Sequence, residues 1–391
     1  MLNKFKEVFI EQNGSNAYII KDTPWIAGDT LYHKALAGTL AQIRDKGRAG
    51  FYEGIVADQV VKNAIRGKGL ITYEDLKAYQ SVWRTPIKTE YKSYDIISMP
   101  PPSSGGIALS QLFMGSAQYD FGAMGHNTSE TIHAMVELER RVYADRATFL
   151  GDPDFVDVPQ EMLLSSSYNQ KRFSDILPNK KTPSSVIKEG KVDVIESVET
   201  THFSIVDKDG NAISITTTLN GSFGSKVLVK GAGFFMNNEM DDFSAKPGEP
   251  NQYGLVGAEA NSITPEKRML SSMTPTIVLK NDSLFMVVGT PGGSTIITSV
   301  YQTILNVIDH NMTMQEAVNA PKFHHQWLPD VVLFEENRFD ERVLNKLEKM
   351  EHQLDYRKAL GKVESILVMK DGQLEGAADA TRNPDSFAAG Y

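Results

Sequence analysis

ETTHFSIVDKDGNAISITTTL, residues 199–219, consists of two β-branched, alternating runs around a single turn. His202 to Val206 and Ala212 to Leu219 have the period of paired strands, and the Asp-Gly within Asp207-Lys208-Asp209-Gly210-Asn211 predicts a hairpin between them. The preceding stretch, Leu177 to Ser185, is polar and interrupted by Pro178 and Pro183, so it reads as a surface linker that delivers the chain to the first strand. Downstream, Thr276 to Leu279 and Leu284 to Gly289 form a second expected hairpin around Lys280-Asn281-Asp282-Ser283. Pro291-Gly292-Gly293-Ser294 then turns the last strand into a helix that runs to about Ile308.

Upstream of the linker the pattern is mostly helical. Asp29 or Thr30 is placed to cap a helix ending near Gly47, and Phe51 to Ile65 has a second helical period. Thr72 with Asp75 forms an expected capping box for a helix through Tyr79. Ile87 to Met99 reads as a strand stopped by Pro100-Pro101-Pro102, since proline cannot donate to a ladder. Ser103-Ser104-Gly105-Gly106 leads into a helix bearing Leu109, Leu112 and Phe113. A long helix is expected from Thr128 or Ser129 to Leu150, with Glu137 and Arg141 paired at i,i+4. Near the C-terminus Thr313 with Glu316 caps a short helix, and Asp340 to Glu351 is helical.

The 391 residues fit one large or two medium domains. With 40 basic and 49 acidic residues the formal charge is −9, which argues against a nucleic-acid binder. Zero cysteines exclude disulfides, Cys-ligated zinc or iron–sulfur sites and a cysteine nucleophile. No apolar run is long enough for a transmembrane helix. Met1 to Lys6 has no apolar core of the signal-peptide type.

Several positions have side chains suited to catalysis or substrate binding. A threonine hydroxyl is a weak nucleophile unless a base adjoins it, and its own α-amino group serves once the preceding bond is cut. Thr200 meets that description only if the chain is opened at Glu199–Thr200; otherwise Thr200, Thr201 and His202 are ordinary strand residues. Gly292-Gly293 between a strand and a helix brings bare backbone N–H groups to a helix N-terminus, where they suit a developing oxyanion or simply make a tight turn. Ser271-Ser272 can donate to a carboxylate. Glu239, Asp241 and Asp242, with Asn237 and Asn238, can hold an ammonium group, and residues 191–260 carry ten acids against five bases.

Taken together, these motifs resemble the γ-glutamyltranspeptidases (glutathione hydrolases). Thr200-Thr201-His202-Phe203-Ser204, Asn237 to Phe243, Leu270 to Pro275 and Gly289 to Ser294 follow that family's order and spacing. Pro100 to Gly106, Tyr143-Ala144-Asp145-Arg146, Phe323 to Trp327 and Gly390-Tyr391 match as well. The resemblance covers nearly the whole chain and implies an α/β fold, the N-terminal-nucleophile hydrolase αββα sandwich, incomplete at its N-terminal side.

It also implies a precursor that cuts itself between Glu199 and Thr200. Residues 1–199 would be the C-terminal part of a large subunit, and residues 200–391 a small subunit headed by the nucleophile, the two pieces forming a heterodimer. By the same resemblance Thr218 supports the Thr200 hydroxyl, while Gly292 and Gly293 supply oxyanion N–H groups. Asn220, Glu239 and Asp242 hold the α-ammonium of a γ-glutamyl group, and Ser271 and Ser272 its α-carboxylate. Pro247 to Gly257 resembles a lid loop, with Tyr253 reaching towards Asn220, and this cover favours glutathione-sized substrates. No cofactor or metal is implied. Partners are glutathione, other γ-glutamyl compounds and amino-acid or peptide acceptors, and the implied location is periplasmic or extracellular.

Family members begin with a secretion signal and a segment containing an arginine for the substrate's α-carboxylate, and nothing in residues 1–391 matches it. The expectation is therefore a truncated chain that starts partway into the family pattern, with an unpaired sheet edge, exposed apolar surface and little activity by itself. A cephalosporin acylase or poly-γ-glutamate hydrolase, or a non-catalytic fragment, are the alternative readings.

Overall fold

A computed structural model describes residues 1–187, 200–244, 246, 249, 257–382 and 386–390. The chain divides into two units, residues 84–218 with 239–391, and residues 1–83 with 219–238.

In the larger unit the central element is a six-stranded antiparallel sheet in the order β1-β2-β5-β6-β10-β11. These strands are β1 (Ile87–Tyr91), β2 (Tyr94–Ser98), β5 (Thr276–Lys280), β6 (Ser283–Gly289), β10 (Glu364–Val368) and β11 (Leu374–Ala378). Three helices, α1 (Gly105–Ser116), α2 (Ser129–Phe149) and α3 (Thr295–Ile308), share the sheet's core. Ile96, Val278, Met286 and Val288 from the strands join Leu109, Leu112, Phe113, Val300 and Ile304 from the helices in one buried cluster. Each such large side chain contributes about 1.5–3 kcal/mol on full burial. A smaller sheet, β7 (Phe323–His324), β8 (Val332–Glu335) and β9 (Leu354–Arg357), pairs β8 with β9 in parallel.

The hairpin β3 (Thr200–Val206) and β4 (Ala212–Thr218) forms its own two-stranded sheet. Its turn is built as the sequence predicts: the Asp207 carboxylate accepts from the Asp209 and Asn211 N–H groups, each at 2.9 Å. The hairpin lies on the six-stranded sheet through side chains. Ser214 Oγ donates to the Val288 carbonyl at 3.1 Å and accepts from the Thr276 N–H at 3.1 Å. Its sheet-facing side is polar, with Thr200, His202, Ser204, Ser214, Thr216 and Thr218 half-buried or buried, whereas Phe203, Ile205, Ile213 and Ile215 stay exposed on the other face.

The smaller unit is helical, with helices Lys6–Asn13, Lys34–Lys46, Ala49–Tyr52, Gly54–Arg66 and Tyr73–Ala78. Asn13 ties its first helix to the 219–238 segment by donating to the Lys226 carbonyl and accepting from the Leu228 N–H, at 2.9 and 2.7 Å. The capping boxes at Thr72–Asp75 and Thr313–Glu316 both form.

Three local expectations need correction. The helix placed at Asp29 or Thr30 begins at Lys34, because the Asp29 carboxylate is taken by the Ile26 N–H and by Lys21. The run expected as one helix from Phe51 is broken at Glu53, where Gly54 has φ +62°. The single strand Ile87 to Met99 is instead a hairpin, turning at Lys92, which has φ +55°.

Candidate active site

Thr200 heads β3 directly opposite Thr218, the last residue of β4, and the Thr200 Oγ1 donates to the Thr218 Oγ1 at 3.3 Å. Register makes this pair: a one-residue slip would turn one hydroxyl to the opposite face. Two residues along, His202 is buried with Nδ1 2.9 Å from Thr216 Oγ1 and Nε2 3.1 Å from Ser204 Oγ. Burial lowers its pKa to about 4, so the ring is neutral near pH 7, and both nitrogens are already engaged away from Thr200. The imidazole rests on Gly289, where a Cβ would come within 2.1 Å of His202 Cε1. A side chain there would force the two layers apart.

These contacts also fix the hairpin's direction over the sheet. Ser214 lies over Val288 and Thr276, and His202 over Gly289, so the Thr200–Thr218 end projects past the end of β6. At this same end Thr276 pairs with Val288, so the chain entering β5 and the chain leaving β6 emerge side by side. The first carries Ser271 and Ser272, the second Gly292 and Gly293. Gly292 has φ +147° and Gly293 φ +56°, conformations that suit glycine, and the Gly292 carbonyl accepts from both the N–H and the Oγ1 of Thr295 as α3 begins.

The serine pair is held from behind by the segment before α1. Ser104 donates to the Ser271 carbonyl from its N–H and its Oγ, both at 2.8 Å, and the Ser271 N–H donates to the Pro102 carbonyl at 3.0 Å. Arg146 Nη2 donates to Ser272 Oγ at 3.0 Å. Glu239, Asp241 and Asp242 lie on one short 3-10 turn. Burial pushes the Glu239 carboxyl up to about 7. Asp242 is likewise pushed up to about 7, by burial and then by the Glu239 charge, against the opposing pull of Arg146. Asn261 joins this turn to the serines: its Nδ2 donates to the Asp242 carbonyl at 2.7 Å, and its Oδ1 accepts from the Leu270 N–H at 2.9 Å.

The larger unit therefore contains Thr200, Thr218, Glu239, Asp242, Ser271, Ser272, Gly292 and Gly293. Asn220 belongs to the smaller unit, where it is buried with φ +71° and its Nδ2 donates to the Asn238 carbonyl at 3.2 Å. Glu199, Tyr253 and most of the expected lid lie outside the described residues. Ser104, Arg146 and Asn261 went unassigned in the sequence. The first two lay within matched motifs, and Asn261 gave no signal. Among the described residues no group of three His, Cys, Asp or Glu could hold a metal, and no helix is long and apolar enough to cross a membrane.

The family model for gamma-glutamyltranspeptidase matches residues 1–389. A glutathione hydrolase proenzyme of Escherichia coli K12 is 46% identical over 386 residues, 98% of this chain and 66% of that protein. One from Pseudomonas aeruginosa is 44% identical over 359 residues, 90% of this chain and 63% of that protein. This chain thus spans somewhat less than two thirds of those curated relatives. The crystal structure of a cephalosporin acylase from Bacillus halodurans superposes with a TM-score of 0.81 at 23% identity, over 97% of this chain and 68% of that one. That likeness is one of fold, and the fold is that of the N-terminal-nucleophile hydrolases. By sequence along almost its entire length, the chain belongs to the γ-glutamyltranspeptidase family.

Proposed function

We propose that the chain carries the nucleophile and most of the γ-glutamyl site of a glutathione hydrolase that also transfers the γ-glutamyl group to amino acids or peptides. The observation that carries this reading is Thr200 at the head of β3, hydrogen-bonded to Thr218 at the end of the sheet from which Ser271-Ser272 and Gly292-Gly293 depart. In this reading the Thr200 hydroxyl attacks the Glu199 carbonyl, the peptide becomes an ester, and water releases residues 1–199 from residues 200–391. The two pieces remain together as large-subunit and small-subunit segments of one folded heterodimer.

The freed α-amino group, with a reference pKa of roughly 7.7–8.0, then takes the proton of the Thr200 hydroxyl as its oxygen attacks the γ-carbonyl of glutathione. Thr218 keeps that oxygen oriented. The Gly292 and Gly293 N–H groups receive the oxyanion, and the proton passes to the departing cysteinylglycine amine. Water or an acceptor amine resolves the γ-glutamyl ester by the reverse sequence. Asn220, Glu239 and Asp242 hold the α-ammonium, Ser271 and Ser272 the α-carboxylate, and Tyr253 in the 247–257 segment covers the group. A periplasmic or extracellular location fits this substrate range.

The test is release of glutamate from glutathione by the complete protein, with a dipeptide acceptor diverting part of it into a γ-glutamyl peptide. Absence of both products contradicts the reading. Within it, Thr218→Ala should slow maturation and turnover by roughly 2- to 13-fold, the scale of one neutral hydrogen bond. Rates equal to those of the unsubstituted protein would show that the 3.3 Å contact does not matter.

A further inference from the structure

Arg146 lies on α2, 4% exposed, and Asp242 is an acidic side chain whose charge acts on its guanidinium. A buried cation is ordinarily paired. Here it spends two donors on hydroxyls: Nε on Ser104 Oγ at 2.9 Å and Nη2 on Ser272 Oγ at 3.0 Å. Guanidinium has donors only, so both serine oxygens must accept. Ser104 passes its own hydrogen to the Ser271 carbonyl at 2.8 Å. Ser272, with a lone pair held by Arg146, keeps its single hydrogen for another acceptor.

We infer that Arg146 is a positioning residue of the γ-glutamyl site, which holds the Ser272 hydroxyl as a donor aimed at the α-carboxylate of the substrate. The inference rests on the proposed function, deepening its carboxylate end. Its physical content is that the incoming carboxylate accepts from Ser272, whose hydroxyl is polarised by the guanidinium behind it, a charge-assisted arrangement stronger than a serine alone. The same guanidinium opposes the effects that raise Asp242, so one residue biases both ends of the site towards a zwitterion.

The test is binding of L-glutamate against 4-aminobutanoate, which keeps the amine and chain but lacks the α-carboxylate, by titration calorimetry on the complete protein. The unsubstituted protein should prefer L-glutamate. Arg146→Met should weaken L-glutamate by roughly 10-fold or more while leaving 4-aminobutanoate nearly unchanged, with Arg146→Lys recovering part of the loss. A merely structural role would weaken both ligands alike. Should Arg146→Met fail to fold, Ser104→Ala releases one anchor and keeps the charge, and the same selective loss, smaller in size, is expected. Equal loss for both ligands, an unchanged preference in either variant, or no preference in the unsubstituted protein overturns the inference. Glutathione hydrolysis by the unsubstituted protein, measured alongside, reports separately on the proposed function.

Discussion

Replacing Thr200 by alanine should leave the complete protein as one uncut chain on a denaturing gel, with glutathione hydrolysis lower by on the order of 10⁶-fold, the scale on which loss of a nucleophile is felt. Both effects follow from one atom, because the Oγ1 that would open the Glu199–Thr200 bond is the one that would carry the γ-glutamyl group. The surroundings offer no replacement. The neighbouring His202 is buried and neutral, and both its nitrogens are bound to Thr216 and Ser204. Thr218 is the hydroxyl closest to taking over, yet it lies mid-chain and has no α-amine to accept its proton. Normal cleavage in Thr200→Ala would remove Thr200 from the mechanism.

Asp242→Ala should raise the KM for γ-glutamyl-p-nitroanilide and lower kcat/KM by roughly 10- to 150-fold, the worth of a hydrogen bond to a charged group. Its pH dependence gives the sign. Burial and the adjacent Glu239 hold Asp242 near 7, so below that pH the carboxyl is protonated and offers an ammonium no charge. Above it the carboxylate is present and capture improves. KM of the unsubstituted protein should therefore fall as pH rises through about 7, and Asp242→Asn should reduce that fall to the part contributed by Glu239, which titrates near the same pH. A KM unaffected by either substitution would take Asp242 out of the ammonium site.

The parts of this molecule legible in the sequence are those fixed by local chemistry. Asp207 to Asn211 announces its turn because the Asp207 side chain closes it, and Thr72–Asp75 and Thr313–Glu316 announce helix starts because both ends of each capping box lie within four residues. Gly292-Gly293 was readable as a strand-to-helix turn for the same reason. What escaped depends on distant partners. Lys92-Ser93 turns a hairpin without glycine, asparagine or proline, held by pairing of β1 with β2 and of β2 with β5. Glu137–Arg141 has the spacing of a surface pair, but α2 runs through the core, so the 2.7 Å contact is buried. The parallel pair β8–β9 joins segments that no local motif connects. In the site, the hydroxyl and carboxylate side chains were legible as chemistry, whereas Ser104, Arg146 and Asn261 act through partners up to 167 residues away.

The most direct measurement is the mass and N-terminal sequence of the smaller fragment after brief exposure of the complete protein to a γ-glutamyl substrate. The account predicts a fragment whose first residue is Thr200, heavier by one γ-glutamyl group carried on that threonine. A fragment starting elsewhere, or a γ-glutamyl group on any other residue, would contradict it.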